Sequence, residues 1–121
     1  MKISTWNVPI RARWYRSTEL KELRFDRSSV TLRVVEEDTE REWTVYFKNV
    51  QAFRSTTEEC AVAIIEQLPE GSGFFEVQDS PWLAELGQGE VSFLDQSKHY
   101  IVGCYDEIVE VVAWEALVEP A

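Results

Sequence analysis

The sequence predicts an α+β fold: a single curved antiparallel sheet of about six strands, made of a meander and a C-terminal hairpin, with one or two short helices. Three observations predict it. Several short runs alternate apolar and polar residues, which is the period of a strand with one packed face. Two segments carry helix-capping residues. The length of 121 residues, with 45% hydrophobic and 28% charged residues, suits a single domain over residues 1–121.

The N-terminal region gives the weakest pattern. Residues 2–8 alternate until Pro9, which is typical of an edge strand. The next segment mixes arginines with aromatic residues, and there the stretch Ser17–Leu23 fits either a short helix or an extended segment.

The meander follows. Val30, Leu32 and Val34 alternate with polar neighbours and predict a strand, which ends at the polar turn 37–40. The run 42–50 alternates again. A bend at Lys48-Asn49 is expected, because asparagine tolerates left-handed geometry, and residues 50–56 then resume in extended form.

Two segments predict helices around a strand at residues 74–78. The first has a capping-box pattern at Thr56 and Glu59, followed by apolar residues at helical spacing up to Leu68. The second is a short helix with Ser80 as N-cap, proline at the first helical position and Gly87 at its end.

The C-terminal hairpin occupies residues 99–115. Alternation up to Cys104 predicts one strand, Asp106-Glu107 predicts a tight turn, and a valine-rich run predicts the second strand. Both faces carry apolar residues, so we expect the hairpin to lie centrally or to be covered on one face by a helix or a partner.

Charge is distributed unevenly along the chain. Residues 1–54 carry 11 basic and 8 acidic side chains, whereas residues 55–121 carry Lys98 against 14 acidic side chains, and the net charge is −10. Such a field repels phosphates and anionic lipid surfaces and attracts cations. We therefore expect a basic protein partner, no nucleic acid and no membrane.

The segment Arg11–Arg16 has the basic and aromatic composition of a single-strand nucleic-acid platform. Because the net charge opposes that role, we interpret its arginines as lying against the acidic half of the chain, or of a second copy. No apolar run at the N-terminus has the roughly 7–15 residues of a signal peptide. Two widely spaced cysteines make no disulfide framework, so we expect a cytoplasmic protein.

His99 is the only histidine, which limits catalysis and metal binding. Nucleophilic catalysis usually needs a base beside the nucleophile, and no G-x-S-x-G motif occurs. We interpret His99 as a surface or hydrogen-bonded structural residue, and expect no catalytic residue, cofactor or metal site. A loose magnesium site on clustered carboxylates stays an alternative. A buried histidine bonded to a carboxylate and facing a nucleophile in a pocket would contradict this interpretation.

The segments EWTVYFKNVQAFR, DSPWLAEL and HYIVGCYDEIVEVVA begin at residues 42, 79 and 99. Together they resemble small bacterial proteins classed as domains of unknown function, in which an aromatic–acidic corner precedes a final valine-rich strand. They are also similar to acidic immunity-type proteins that neutralise secreted bacterial toxins. The resemblance covers residues 42–115 and implies no activity, cofactor or catalytic residue.

Our leading hypothesis is a non-enzymatic, immunity-like module whose acidic half binds a basic protein. The predicted contacts are Glu85, Glu90, Asp95, Asp106, Glu107 and Glu110, with Trp82 and Tyr105 as aromatic anchors. One alternative is a small-molecule binder or hydrolase that uses the concave face of the sheet, with His99 and Tyr100 at its rim. Another is a structural homodimer that pairs basic and acidic halves.

Overall fold

The computed structural model describes residues 1–87 and 96–121, which form one open antiparallel sheet of seven strands with two short α-helices and a 3₁₀ turn. In chain order the elements are β1 Lys2–Thr5, β2 Thr18–Asp26, β3 Ser29–Glu36, β4 Glu42–Thr57, the 3₁₀ turn Glu58–Cys60, α1 Val62–Ile65, β5 Phe74–Gln78, α2 Pro81–Leu86, β6 Lys98–Cys104 and β7 Glu107–Pro120. Across the sheet the strand order is β1-β5-β6-β7-β4-β3-β2. Among the described residues, no helix has the length and apolar character needed to cross a lipid bilayer.

The predicted C-terminal hairpin lies at the centre of the sheet, as expected from its apolar faces. β7 is the middle strand and pairs with β6 on one side and β4 on the other. Val109 and Val111 point into the main core, whereas Ile108 packs into a second apolar cluster on the opposite face. Both faces are therefore buried along the first half of β7.

The main core fills one face of the sheet and is covered by the N-terminal segment 6–12. Trp6 packs against Phe47 and Tyr100, with ring centroids 6.1 and 4.9 Å apart, and its amide donates to the carbonyl of Phe74 at 2.9 Å. On the other face, Phe75 and its neighbours are covered by Ala61, α1 and Leu68.

The sheet curves strongly, which brings distant strands together. Asn49 adopts a left-handed φ of 53°, and the β4–β7 register shifts between Val50 and Ala52, which confirms the predicted bend. The Thr18 hydroxyl, on edge strand β2, donates to the carbonyl of Gly103 at 2.9 Å, and the amide of Tyr105 donates to the Thr18 carbonyl at 2.8 Å. The start of β2 therefore lies beside the turn of the central hairpin.

Three sequence predictions need correction. The sheet has seven strands and not about six, because residues 18–26 form β2; this is the extended alternative for Ser17–Leu23, and the bulge between Leu20 and Glu22 breaks the alternation that would have decided between the two. The first predicted helix is shorter than expected and consists of the 3₁₀ turn and α1. Thr56 belongs to β4, and no side chain caps the turn. The hairpin turn is Tyr105–Asp106, where Asp106 takes a φ of 71°. The strand 74–78 and the helix capped by Ser80 are confirmed.

Candidate functional site

A buried polar cluster joins the central hairpin to its neighbours. His99 on β6 and Glu110 on β7 are only 2% and 3% exposed, and Nε2 of His99 lies 2.9 Å from Oε1 of Glu110. The strand register explains the contact: His99 pairs with Val112 and Ile101 with Glu110, so the two side chains are diagonal neighbours on one face.

Arg54 supplies the positive charge that balances the Glu110 carboxylate in this cluster. It pairs with Glu110 across β4 and β7, and its Nε and Nη2 donate to the two carboxylate oxygens at 2.7 and 3.2 Å. Burial alone would raise the pKa of Glu110, but hydrogen bonds from His99 and Arg54 and the positive charge of Arg54 lower it. Glu110 is therefore an ionised acceptor, and His99 donates Nε2–H to it.

Ser80 lies on the other side of the imidazole ring. Its Oγ is 2.7 Å from Nδ1 of His99 and also accepts the Leu83 amide at 3.1 Å, as the N-cap of α2. In the neutral Nε2–H tautomer, Nδ1 accepts the Ser80 hydroxyl proton, and both ring nitrogens then have a partner. Trp82 packs its ring against His99 at 5.2 Å.

This cluster corrects part of the interpretation of His99. The histidine is hydrogen-bonded, as expected, but it is buried and not at the surface. It also meets three of the four conditions set for a catalytic site, since it is buried, bonds a carboxylate and faces a serine hydroxyl. Tyr100 points into the main core, on the face opposite His99, so the two residues do not form the rim of a shared pocket.

A second feature, the acidic groove, lies at the edge of the sheet and has a volume of about 560 Å³. Its floor includes Glu19, Val35 and Glu42, which face each other across β2, β3 and β4. The hairpin turn supplies Tyr105 at one end. The charged residues that line the groove are Arg16, Lys21, Glu19, Glu36, Glu37, Glu40 and Glu42.

Glu36 keeps its charge although it is only 3% exposed. Its carboxylate accepts hydrogen bonds from the amide of Arg11 at 2.9 Å, the indole of Trp43 at 2.9 Å and the hydroxyl of Thr39 at 2.5 Å. Burial would raise the pKa of Glu36, but these hydrogen bonds, with the charge of Arg41, lower it. Glu36 is therefore ionised near neutral pH, and its carboxylate lies on the main-core face beside Trp43.

The two basic residues of the groove are already engaged. Lys21 pairs with Glu19 at 3.2 Å, and Arg16 pairs with Glu58 at 3.0 Å. Glu37, Glu40 and Glu42 form no ion pair with any described residue and are exposed. The groove thus presents unbalanced negative charge to solvent.

The predicted partner contacts do not form one surface. Tyr105 is 53% exposed and lines the acidic groove, and the neighbouring Asp106 is exposed. Glu107 is half-buried and accepts the Ser55 hydroxyl at 2.7 Å. Glu110 needs correction, because it is buried between Arg54 and His99 and presents no carboxylate to a partner.

The remaining predicted contacts lie near α2, at the far end of β6. Glu85 is exposed, and Trp82 is half-buried between His99 and the guanidinium of Arg54, which lies 4.0 Å from its ring. Five residues of β6 separate this end from the hairpin turn, which is a distance of about 17 Å. Glu90 and Asp95 fall outside the described residues.

The basic and aromatic segment is partly internal, as predicted. Arg16 reaches Glu58 of the acidic half, whereas Arg13 pairs with Asp38 of its own half. Comparison with known proteins gives no match: no family model, no curated protein and no solved structure matches the chain.

Proposed function

We propose that this chain is a non-enzymatic, immunity-like module that binds a basic segment of a protein partner in the acidic groove. The observation that carries the proposal is the groove itself, which is lined by five glutamates and by two basic residues that already have partners. Its volume falls within the range of about 300–1,000 Å³ found for binding clefts.

The charges of the groove also suggest how binding proceeds. Exposed carboxylates beside a buried, ionised one create a negative field that attracts a basic chain and accelerates its association. Tyr105 offers an exposed aromatic surface at one end, of the kind that anchors many protein interfaces. These features differ from the sequence prediction, because all five groove acids come from the first half of the chain.

A charge-neutral variant of the groove tests the proposal. We expect the triple substitution Glu37→Gln, Glu40→Gln and Glu42→Gln to weaken binding of a short lysine- and arginine-rich peptide about tenfold at low salt. Fluorescence anisotropy with the labelled peptide measures the change. High salt should remove most of the difference, because exposed ion pairs are screened.

A second triple variant has the same net charge and serves as the matched control. It replaces three exposed carboxylates outside the groove, Glu66, Glu70 and Glu85, with glutamine. Equal weakening by both variants would show that net charge alone attracts the peptide. Self-association that the groove variant abolishes would identify a second copy of the chain as the occupant, and would also overturn the proposal.

Hydrolysis is a second candidate function, favoured by the order Ser80, His99, Glu110. This spatial order of hydroxyl, imidazole and carboxylate resembles that of acyl-transfer enzymes, but the ring nitrogens are exchanged: here Ser80 faces Nδ1 and Glu110 faces Nε2, whereas in the Ser-His-Asp relay the serine faces Nε2 and the carboxylate Nδ1. Two observations favour a structural role instead: Ser80 is 5% exposed, and its Oγ already accepts the Leu83 amide as a helix cap. In this structural role, the cluster holds α2 against the sheet.

A fluorophosphonate probe, which reacts with activated serines, distinguishes the two roles of Ser80. We expect no labelling of the folded protein. Labelling that disappears in both the Ser80→Ala and the His99→Ala variants, with each variant shown to be folded, would establish an activated hydroxyl and overturn the non-enzymatic proposal.

A further inference from the structure

The end of the acidic groove near the hairpin turn already holds one arginine side chain. The guanidinium carbon of Arg16 lies 4.6 Å from the ring centroid of Tyr105 and 5.6 Å from that of Trp14. Its Nε is 3.0 Å from Oε1 of Glu58, an ion pair in which the two atoms do not have the geometry of a hydrogen bond. Both rings remain about half exposed, at 53% for Tyr105 and 47% for Trp14. The chain thus builds an aromatic and carboxylate setting around a guanidinium, and leaves much of the aromatic surface open.

That setting distinguishes arginine from lysine. A guanidinium is planar and weakly hydrated, so it stacks on aromatic rings and binds carboxylates through two parallel hydrogen bonds. An ammonium is compact and strongly hydrated, so it gains less from the same ring. The carboxylates of Glu37 and Glu40, which have no ion pair among the described residues, lie in the same groove as the exposed ring of Tyr105.

We propose that the acidic groove recognises arginine in preference to lysine in the basic segment of its partner. Tyr105 supplies the stacking surface, and the unpaired glutamates supply the ion pairs. This inference rests on the proposed function and adds the identity of the residue that the groove selects. The role of Tyr105 is to confer specificity, whereas the glutamates provide most of the attraction.

Two peptides of equal length and charge test the preference. One alternates arginine with glycine, and the other has lysine at each arginine position. We expect the arginine peptide to bind the full chain about two- to fivefold more tightly for each arginine that stacks. Tyr105→Leu should remove this preference by weakening only the arginine peptide, and Tyr105→Phe, which keeps the ring, should retain it. Phe25→Ala is the matched control, since Phe25 is 51% exposed and does not line the groove.

The outcomes separate this inference from the proposed function. Binding of both peptides with equal affinity, unchanged by Tyr105→Leu, would overturn the arginine preference and leave a purely electrostatic groove. Failure of both peptides to bind at low salt would overturn the proposed function, and with it the inference. A loss of preference in Phe25→Ala as large as in Tyr105→Leu would also overturn the role of Tyr105.

Discussion

Replacement of Glu110 with alanine is expected to lower the free energy of unfolding by about 3 kcal/mol. The substitution removes the acceptor of the His99 Nε2–H, which is buried, and the partner of the Arg54 guanidinium. Because the Arg54 side chain is 47% exposed, water compensates part of the lost ion pair, which keeps the cost below that of a fully buried charge. Urea denaturation measures the loss.

The control for this prediction lies on the same strand. Glu107 accepts a hydrogen bond from Ser55 at the surface, and its replacement with alanine should cost less than about 1 kcal/mol. If the Glu110→Ala variant unfolds at the same urea concentration as the Glu107→Ala variant, the buried cluster does not stabilise the fold as described.

The contribution of Glu110 should also depend on pH. Its pKa is lowered in the folded chain, so its stabilisation is complete above the ordinary glutamate pKa of about 4.3 and is lost as pH falls through the folded value. The stability difference between the wild-type chain and Glu110→Ala should therefore narrow below about pH 4. Glu36 also has a lowered pKa, but it is present in both proteins, so its contribution cancels in the difference.

Gly103→Ala is expected to destabilise the fold by about 2–3 kcal/mol. An added Cβ would lie 2.6 Å from the carbonyl oxygen of Tyr15 and 2.8 Å from its Cβ. The oxygen belongs to the backbone, so it moves only if the N-terminal segment moves away from β6. The φ of Gly103 is not positive. The expected loss of stability therefore comes from the lack of space for a Cβ atom and not from backbone strain. Thermal and urea denaturation both measure it.

Gly87 provides the matched control for the same chemical change. It is exposed at the C-terminal end of α2 with a φ of −81°, a conformation that alanine adopts freely. Gly87→Ala should leave stability unchanged or raise it by about 0.5 kcal/mol, through the lower entropy of the unfolded chain. A Gly103→Ala variant as stable as Gly87→Ala would show that the N-terminal segment does not pack against β6 as closely as described.

Local patterns account for the parts of the fold that the sequence predicts well. Alternation of apolar and polar residues predicts β3, β5 and the central hairpin, and the Ser80-Pro81 cap predicts α2. The sequence does not distinguish strand from helix at β2, because the bulge shifts the alternation by one residue after Leu20. The capping box at Thr56 fails because that residue pairs with Ile108 as part of β4, so pairing in the sheet overrides the local signal.

The candidate site is harder to predict because it depends on residues far apart in the chain. Arg54 and Glu110 are 56 residues apart, and no local pattern marks their pairing. Glu110 looks like a surface acid in the sequence, yet it is buried and bonded to Arg54 on β4 and His99 on β6. The acidic groove likewise needs β2, β3 and the hairpin turn in one place, which only the curvature of the sheet provides.

Nuclear magnetic resonance mapping of the bound peptide tests the central claim most directly, because it locates binding on the folded chain. On titration with the arginine peptide, we expect salt-sensitive shifts at the amides of residues 16–21, 35–42 and Tyr105, with little change in α2. Shifts centred on α2 and His99, with the groove amides unmoved, would contradict binding in the acidic groove.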